Sequence, residues 1–166
     1  VTGSGKTEVY LRAAEKVLNE GRDVLILVPE IALTPLICSR LAQRFGEAAA
    51  VLHSRLSAGE RYEQWRRIRS GEKHLVAGAR SAIFAPLKNI GLIVIDEEQE
   101  SSYKSERSPR YDAREIARIR AIQHHAKLLL CSATPSVVAF RRALQGRSRL
   151  LLSLIHISEP TRLLSI

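Results

Sequence analysis

Short apolar runs alternate along this chain with stretches whose apolar residues recur at helical spacing. Residues 24–28 (VLILV), closed by Pro29, carry no polar interruption and read as a strand buried on both faces. Residues 75–78, 92–95 and 128–131 repeat that pattern, and 49–53 fits a shorter strand. Between them, Val9, Ala13, Val17 and Leu18 place one face on a helix over 8–20, stopped by Gly21. A second helix is expected over 34–45, with Thr34 as N-cap and Pro35 in the first turn. Further helices are expected over 61–69, over 112–124 with Asp112 as cap, and over 136–144. The polar segment 100–110 reads as a loop. Buried strands alternating with amphipathic helices predict an α/β fold, a mostly parallel sheet with helices on both faces.

Composition narrows the class. The chain has 166 residues, 45% hydrophobic and 26% charged, which suits one globular domain with a real core. It has no apolar run of bilayer length, so no membrane partner is expected, and a reducing cytoplasm is the default compartment. The two cysteines, Cys38 and Cys131, are far apart and sit in or beside apolar stretches. They make neither a disulfide framework nor a metal pair. The formal net charge of +9 is concentrated in 61–73 and 104–120, which suits a polyanionic partner.

Three short motifs carry candidate chemistry. Val1-Thr2-Gly3-Ser4-Gly5-Lys6-Thr7 matches the back of the G-x-x-x-x-G-K-[ST] phosphate loop, lacking only its first glycine. Gly3 and Gly5 let backbone N–H groups turn toward phosphate oxygens, with Ser4 between them. Lys6 can reach β/γ-phosphates, Thr7 offers a hydroxyl to Mg²⁺, and Glu8 opens the following helix. Roughly ninety residues later, the run 92–95 ends in Asp96-Glu97, a carboxylate pair at the strand edge where α/β sheets bind ligands. Asp96 is the candidate Mg²⁺ ligand, and Glu97 the group that orients or deprotonates an attacking water. Ser132-Ala133-Thr134 follows the last buried run, where Ser132 and Thr134 could hydrogen-bond the acidic turn. Each motif also has a plainer reading: a glycine turn, a solvated acidic turn and a helix entry.

In the order GKT, DE, SAT these strings are similar to the first-lobe motifs of superfamily 2 helicases. With LVPEIALTP, HSRLS, GARSAIFAPL and SSYKSERSPRYDAREIA, the chain resembles the PriA family of primosomal replication-restart helicases from its start to about residue 150. That resemblance implies a RecA-like P-loop NTPase lobe and a bacterial, cytoplasmic, ATP-dependent 3′→5′ DNA helicase that reloads replication at stalled forks. Its implied partners are single-stranded and forked DNA, other primosome proteins and single-strand-binding proteins. The implied cofactors are ATP and Mg²⁺, with zinc held by a cysteine-rich module whose ligands are not in this chain. The resemblance also implies strand contacts by Thr34, Arg80 and Ser81. In the family's aromatic-rich loop it implies base stacking by Tyr103 and Tyr111, and phosphate contacts by Lys104, Arg107 and Arg110. A nucleic-acid-binding module with a nucleotide-dependent switch but no unwinding is the alternative, and a non-functional translation of a truncated read is a third.

The chain departs from the family at Gln99, at Cys131 and in its tail. Cys131 sits where the family commonly has glycine before SATP, and is expected to be packing rather than chemistry. Where the family reads Asp-Glu-Glu-His, this chain has Gln99, expected to keep a hydrogen bond toward Ser132 or Thr134 while losing the titratable ring. From about Leu152 the sequence resembles translated sequencing-adapter read-through. The expected division is therefore a motor lobe over 1–151 and a non-native tail over 152–166, a true extension being the alternative. A second lobe would supply an arginine finger worth about 10³–10⁵ in rate. The chain alone is thus expected to bind nucleotide and DNA weakly and to turn over little.

Overall fold

The computed structural model describes residues 5–153 and 162–165. The expected phosphate-loop residues Gly3 and Ser4 lie outside them. Helix α1 (Lys6–Asn19) leads into β1 (Asp23–Leu27), and α2 (Pro35–Phe45) into β2 (Ala49–Leu52). Helix α3 (Ala58–Ser70) precedes β3 (Leu75–Gly78), which is followed by β4 (Ile90–Ile95). A small hairpin of β5 (Lys104–Ser105) and β6 (Tyr111–Asp112) interrupts the segment expected to be a loop. Helix α4 (Ala113–Gln123), β7 (Lys127–Ser132), α5 (Val137–Leu144), β8 (Leu150–Ser153) and β9 (Arg162–Ser165) complete the order.

The strands lie in the order β2-β3-β1-β4-β7-β9-β8. The first five are mutually parallel, as the uninterrupted apolar runs require, while β9 pairs antiparallel with both β7 and β8. Strand periodicity divides the core between the two faces of the sheet. Val24, Ile26, Leu92 and Val94 pack with Tyr10, Leu11 and Ala14 of α1 and Leu41 of α2. Leu25, Leu27, Ile93 and Ile95 pack on the opposite side with Ile68 of α3 and Ala113, Ala117 and Ala121 of α4.

Local chemistry sets the element ends. Thr34 Oγ1 accepts from the Ile37 N–H at 3.4 Å, and Asp112 Oδ1 accepts from the Arg114 N–H at 2.9 Å, so both expected caps form. Helix α3 starts earlier than its apolar pattern predicts, because Ser57 and Glu60 make a reciprocal capping box. Gly78 ends β3 where a Cβ would lie 2.6 Å from Ala82 Cβ and 2.9 Å from the Leu52 carbonyl oxygen. Only glycine allows the chain to turn there toward Arg80.

Candidate nucleotide site and nucleic-acid interface

The carboxyl ends of β1, β4 and β7 bring the separate motifs to one edge. Backbone bonds from Asp96 N–H to Leu27 O (2.9 Å) and from Glu98 N–H to Cys131 O (3.0 Å) tie the acidic turn to both neighbouring strands. Glu97 takes φ +46°, a left-handed conformation uncommon for a residue with a side chain. Opposite this turn stands the first turn of α1, entered through Gly5 at φ +66°. Lys6 is 5% exposed, and its Nζ donates to Glu97 Oε1 at 2.8 Å. Tyr10, one turn further along α1, donates from its hydroxyl to Asp96 Oδ2 at 3.2 Å, while the Glu97 N–H donates to Asp96 Oδ1 at 3.0 Å.

Burial dominates the electrostatics here. It raises the Asp96 carboxyl above the ordinary aspartate range; Lys6 opposes the shift and the neighbouring Glu97 adds to it. Burial likewise raises the Tyr10 hydroxyl, keeping it a neutral donor, and the Cys131 thiol, which is core rather than chemistry. Thr7 and Asp96 both hydrogen-bond to the Tyr10 hydroxyl, and a carboxylate with a threonine hydroxyl is a hard-oxygen donor set of the kind Mg²⁺ takes with phosphates and water. Among the described residues no group of three or more His, Cys, Asp or Glu could hold a metal by itself. Thr7 and Asp96 therefore fit a metal shared with a nucleotide.

The third motif joins through a chain of side chains. Ser132 Oγ donates to Gln99 Oε1 at 2.6 Å, and Gln99 Nε2 donates to Glu97 Oε2 at 2.9 Å. Ser132 rather than Thr134 is thus the side chain that meets Gln99. Thr134 contributes its N–H, which donates to Ser132 Oγ at 2.9 Å. Sequence reasoning missed Glu98, which is buried. It accepts from the N–H and hydroxyl of Ser136 at 2.6 and 3.0 Å, locking the start of α5 to the acidic turn. It also missed Tyr10, although a tyrosine one turn after Thr7 on an apolar helix face was a signal for a buried hydroxyl near the site. Glu8, expected at the nucleotide, points its carboxylate away to Arg44 and Arg12, which pull its pKa down to about 2.

The expected nucleic-acid residues divide into two groups. Tyr103 is 1% exposed and cannot stack on a base in this structure, a correction to the sequence reading. Its ring packs in the core, and its hydroxyl lies 2.6 Å from the Asp96 carbonyl and 3.2 Å from that of Leu27. Arg80 is committed too: Nη1 donates to the carbonyls of Ser102 and Lys104, and the guanidinium sits 5.6 Å from the Tyr111 ring centroid. Tyr111 makes an edge-to-face contact with Phe84 at 5.0 Å. Lys104, Arg107, Arg110, Ser81 and Thr34 are exposed, and so accessible to a strand.

A parallel α/β sheet with a lysine, an acidic pair and a hydroxyl loop at one carboxyl edge defines a nucleotide-binding lobe of the P-loop class. A family model described as "DEAD/DEAH box helicase" matches residues 1–141, and the chain belongs to that family. It is 55% identical over 151 residues to the replication restart protein PriA of Bacillus subtilis, covering 91% of this chain and 19% of that protein. Over 149 residues it is 54% identical to PriA of Treponema pallidum, covering 90% and 23% respectively. Over 147 residues it is 46% identical to PriA of Haemophilus influenzae, covering 89% and 20%. The chain therefore spans about a fifth of the length of these curated relatives. No described helix is long and apolar enough to cross a membrane.

Proposed function

We propose that this chain is the ATP-binding motor lobe of a 3′→5′ DNA helicase that restarts replication at stalled forks. The reading rests on similarity to replication restart proteins and, in the structure, on one observation. An unbroken path, Lys6–Glu97–Gln99–Ser132, joins the phosphate loop, the acidic turn and the hydroxyl loop. The lobe comprises residues 1–151, and 152–166 is an appended tail. In an intact, cytoplasmic protein its partners are single-stranded and forked DNA and the proteins that assemble with them.

Lys6 exchanges Glu97 for the β/γ-phosphates of ATP when nucleotide enters. Glu97, released from that ion pair but still oriented by Gln99, then aligns the attacking water. Mg²⁺ held by Thr7 and Asp96 would neutralise charge on the phosphate oxygens. Gln99 passes any displacement of Glu97 to Ser132 and so to the loop ahead of α5. Tyr103 ties the exposed β5–β6 hairpin to the Asp96 carbonyl, so a strand engaging Lys104, Arg107 and Arg110 acts on the same turn.

Lys6→Ala in a full-length protein carrying this lobe tests the reading. Loss of ATP hydrolysis and unwinding with DNA binding retained is the expected result. Unwinding at the wild-type rate would overturn it. The second reading, a nucleic-acid module with a nucleotide-dependent switch, predicts that no variant or wild type unwinds a fork, while nucleotide still changes DNA affinity.

A further inference from the structure

Tyr10 is buried, at 4% exposure, yet its hydroxyl reaches the sheet edge where the motifs meet. It stands three residues after Thr7 and four after Lys6 on α1, so helical spacing puts all three side chains on one face. The hydroxyl donates to Asp96 Oδ2 at 3.2 Å and shares a second hydrogen bond with the side chain of Thr7. The other Asp96 oxygen, Oδ1, accepts from the Glu97 N–H at 3.0 Å. The phosphate-loop motif asks for a lysine and a hydroxyl residue at the start of this helix, and nothing in it calls for a tyrosine behind them.

The chemistry of the three groups fixes the direction of both bonds. An ionised carboxylate only accepts, so the single hydroxyl hydrogen of Tyr10 goes to Asp96. The Tyr10 oxygen then has only lone pairs to offer, so the Thr7 hydroxyl donates to it. Burial raises the Tyr10 hydroxyl above its ordinary range, which keeps it a neutral donor. Both hydrogens are therefore held inside a relay from Thr7 through Tyr10 to Asp96. The free lone pairs of Thr7 and Asp96 are left for a cation, whereas a threonine hydrogen turned outward would repel one. We propose that Tyr10 is a positioning residue for divalent-metal binding: it accepts the Thr7 hydrogen, donates to Asp96, and so presents oxygen lone pairs from both to a metal–nucleotide complex. Tyr10 itself touches neither nucleotide nor metal. Outer partners of this kind orient the ligands, and losing one typically weakens metal affinity about 10–100-fold. The role deepens the proposed function and rests on it for the nature of the nucleotide and the metal.

The test measures binding of a fluorescent, non-hydrolysable ATP analogue to a full-length protein carrying this lobe, first in EDTA and then across a Mg²⁺ titration. Tyr10→Phe should leave the affinity in EDTA unchanged and raise the Mg²⁺ concentration at half-effect about 10–100-fold. Phenylalanine keeps the buried ring, so the fold should survive, as circular dichroism would show. Thr7→Val removes the hydrogen that Tyr10 accepts. Combined with Tyr10→Phe, it should weaken the Mg²⁺ effect by less than the two separate losses together. A tyrosine that serves packing alone would lower affinity equally with and without Mg²⁺. That result, an unchanged Mg²⁺ dependence in Tyr10→Phe, or strictly additive losses in the double variant would overturn the role and leave the proposed function standing. Wild-type protein whose nucleotide affinity ignores Mg²⁺, or that binds no nucleotide, would overturn both.

Discussion

Lys6 and Glu97 meet at 2.8 Å across 91 positions of sequence, with Asp96 buried beside them. Burial raises the folded-state pKa of Asp96, so its ionised form opposes folding. The folded state binds the proton more tightly, so stability from this group is greatest at low pH and declines as pH rises through the raised pKa. Asp96→Asn should therefore leave the lobe at least as stable as wild type near pH 7, with the difference fading toward pH 3. Thermal melts across that range check it, and a marked loss of Tm at pH 7 would refute it. Metal-dependent nucleotide binding should fall in the same variant. At Gln99, restoring histidine in a full-length protein should change DNA-stimulated ATPase, since a titratable ring replaces the amide between Glu97 and Ser132. An unchanged rate across pH 6 to 8 would count against that role. The lysine, the acid pair and the serine were legible from motif order alone. The burial of Tyr103 was not, because a tyrosine in a polar segment carries no local sign of which way its ring turns.

Elements supply the precision these residues need. The β5–β6 hairpin is fixed at its root by the Tyr103 hydroxyl and at its side by Arg80. Tyr103→Phe, which removes that hydroxyl, should lower stability by about 0.5–1.5 kcal/mol. It should also reduce the DNA stimulation of ATPase in a full-length protein, a split that simple loss of packing would not produce. Gly78 sets the exit of β3 toward Arg80. Gly78→Ala must displace Ala82 or the Leu52 backbone and should cost about 1–3 kcal/mol in urea denaturation. Arg44 of α2 clasps Glu8 and Glu15 of α1 at 2.7 and 2.6 Å. These pairs are partly exposed and so screened, and they adjust the packing of α1 on α2 rather than create it. Strand existence and order along the chain followed from the apolar runs. The hairpin did not, since two-residue strands have too little sequence to show a period.

For the whole molecule, the relation between a motor lobe and the rest of its protein governs activity. The chain spans about a fifth of its curated relatives, and in the proposed function its nucleotide site would be completed by an arginine from a second lobe. The 166-residue chain should bind ATP weakly and hydrolyse it slowly, with little response to single-stranded DNA. Robust DNA-stimulated turnover by this chain alone would contradict the shared-site arrangement. Its net charge of +9 should make whatever DNA binding it has fall steeply with salt.

By itself the sequence determined the sheet-forming runs, the helices between them, and the types of group available for phosphate, metal and water. These are local properties, set by periodicity and by residue chemistry at strand ends. Only the tertiary structure decided which groups share an environment. It paired Lys6 with Glu97 and chose Ser132 over Thr134 for Gln99. It turned Glu8 toward Arg44, buried Tyr103 against the acidic turn, and set the Tyr10 hydroxyl between Thr7 and Asp96. Contacts between distant segments depend on how parallel strands stack side by side. That order, β2-β3-β1-β4-β7, is a property of the whole sheet, which no single stretch of the chain contains.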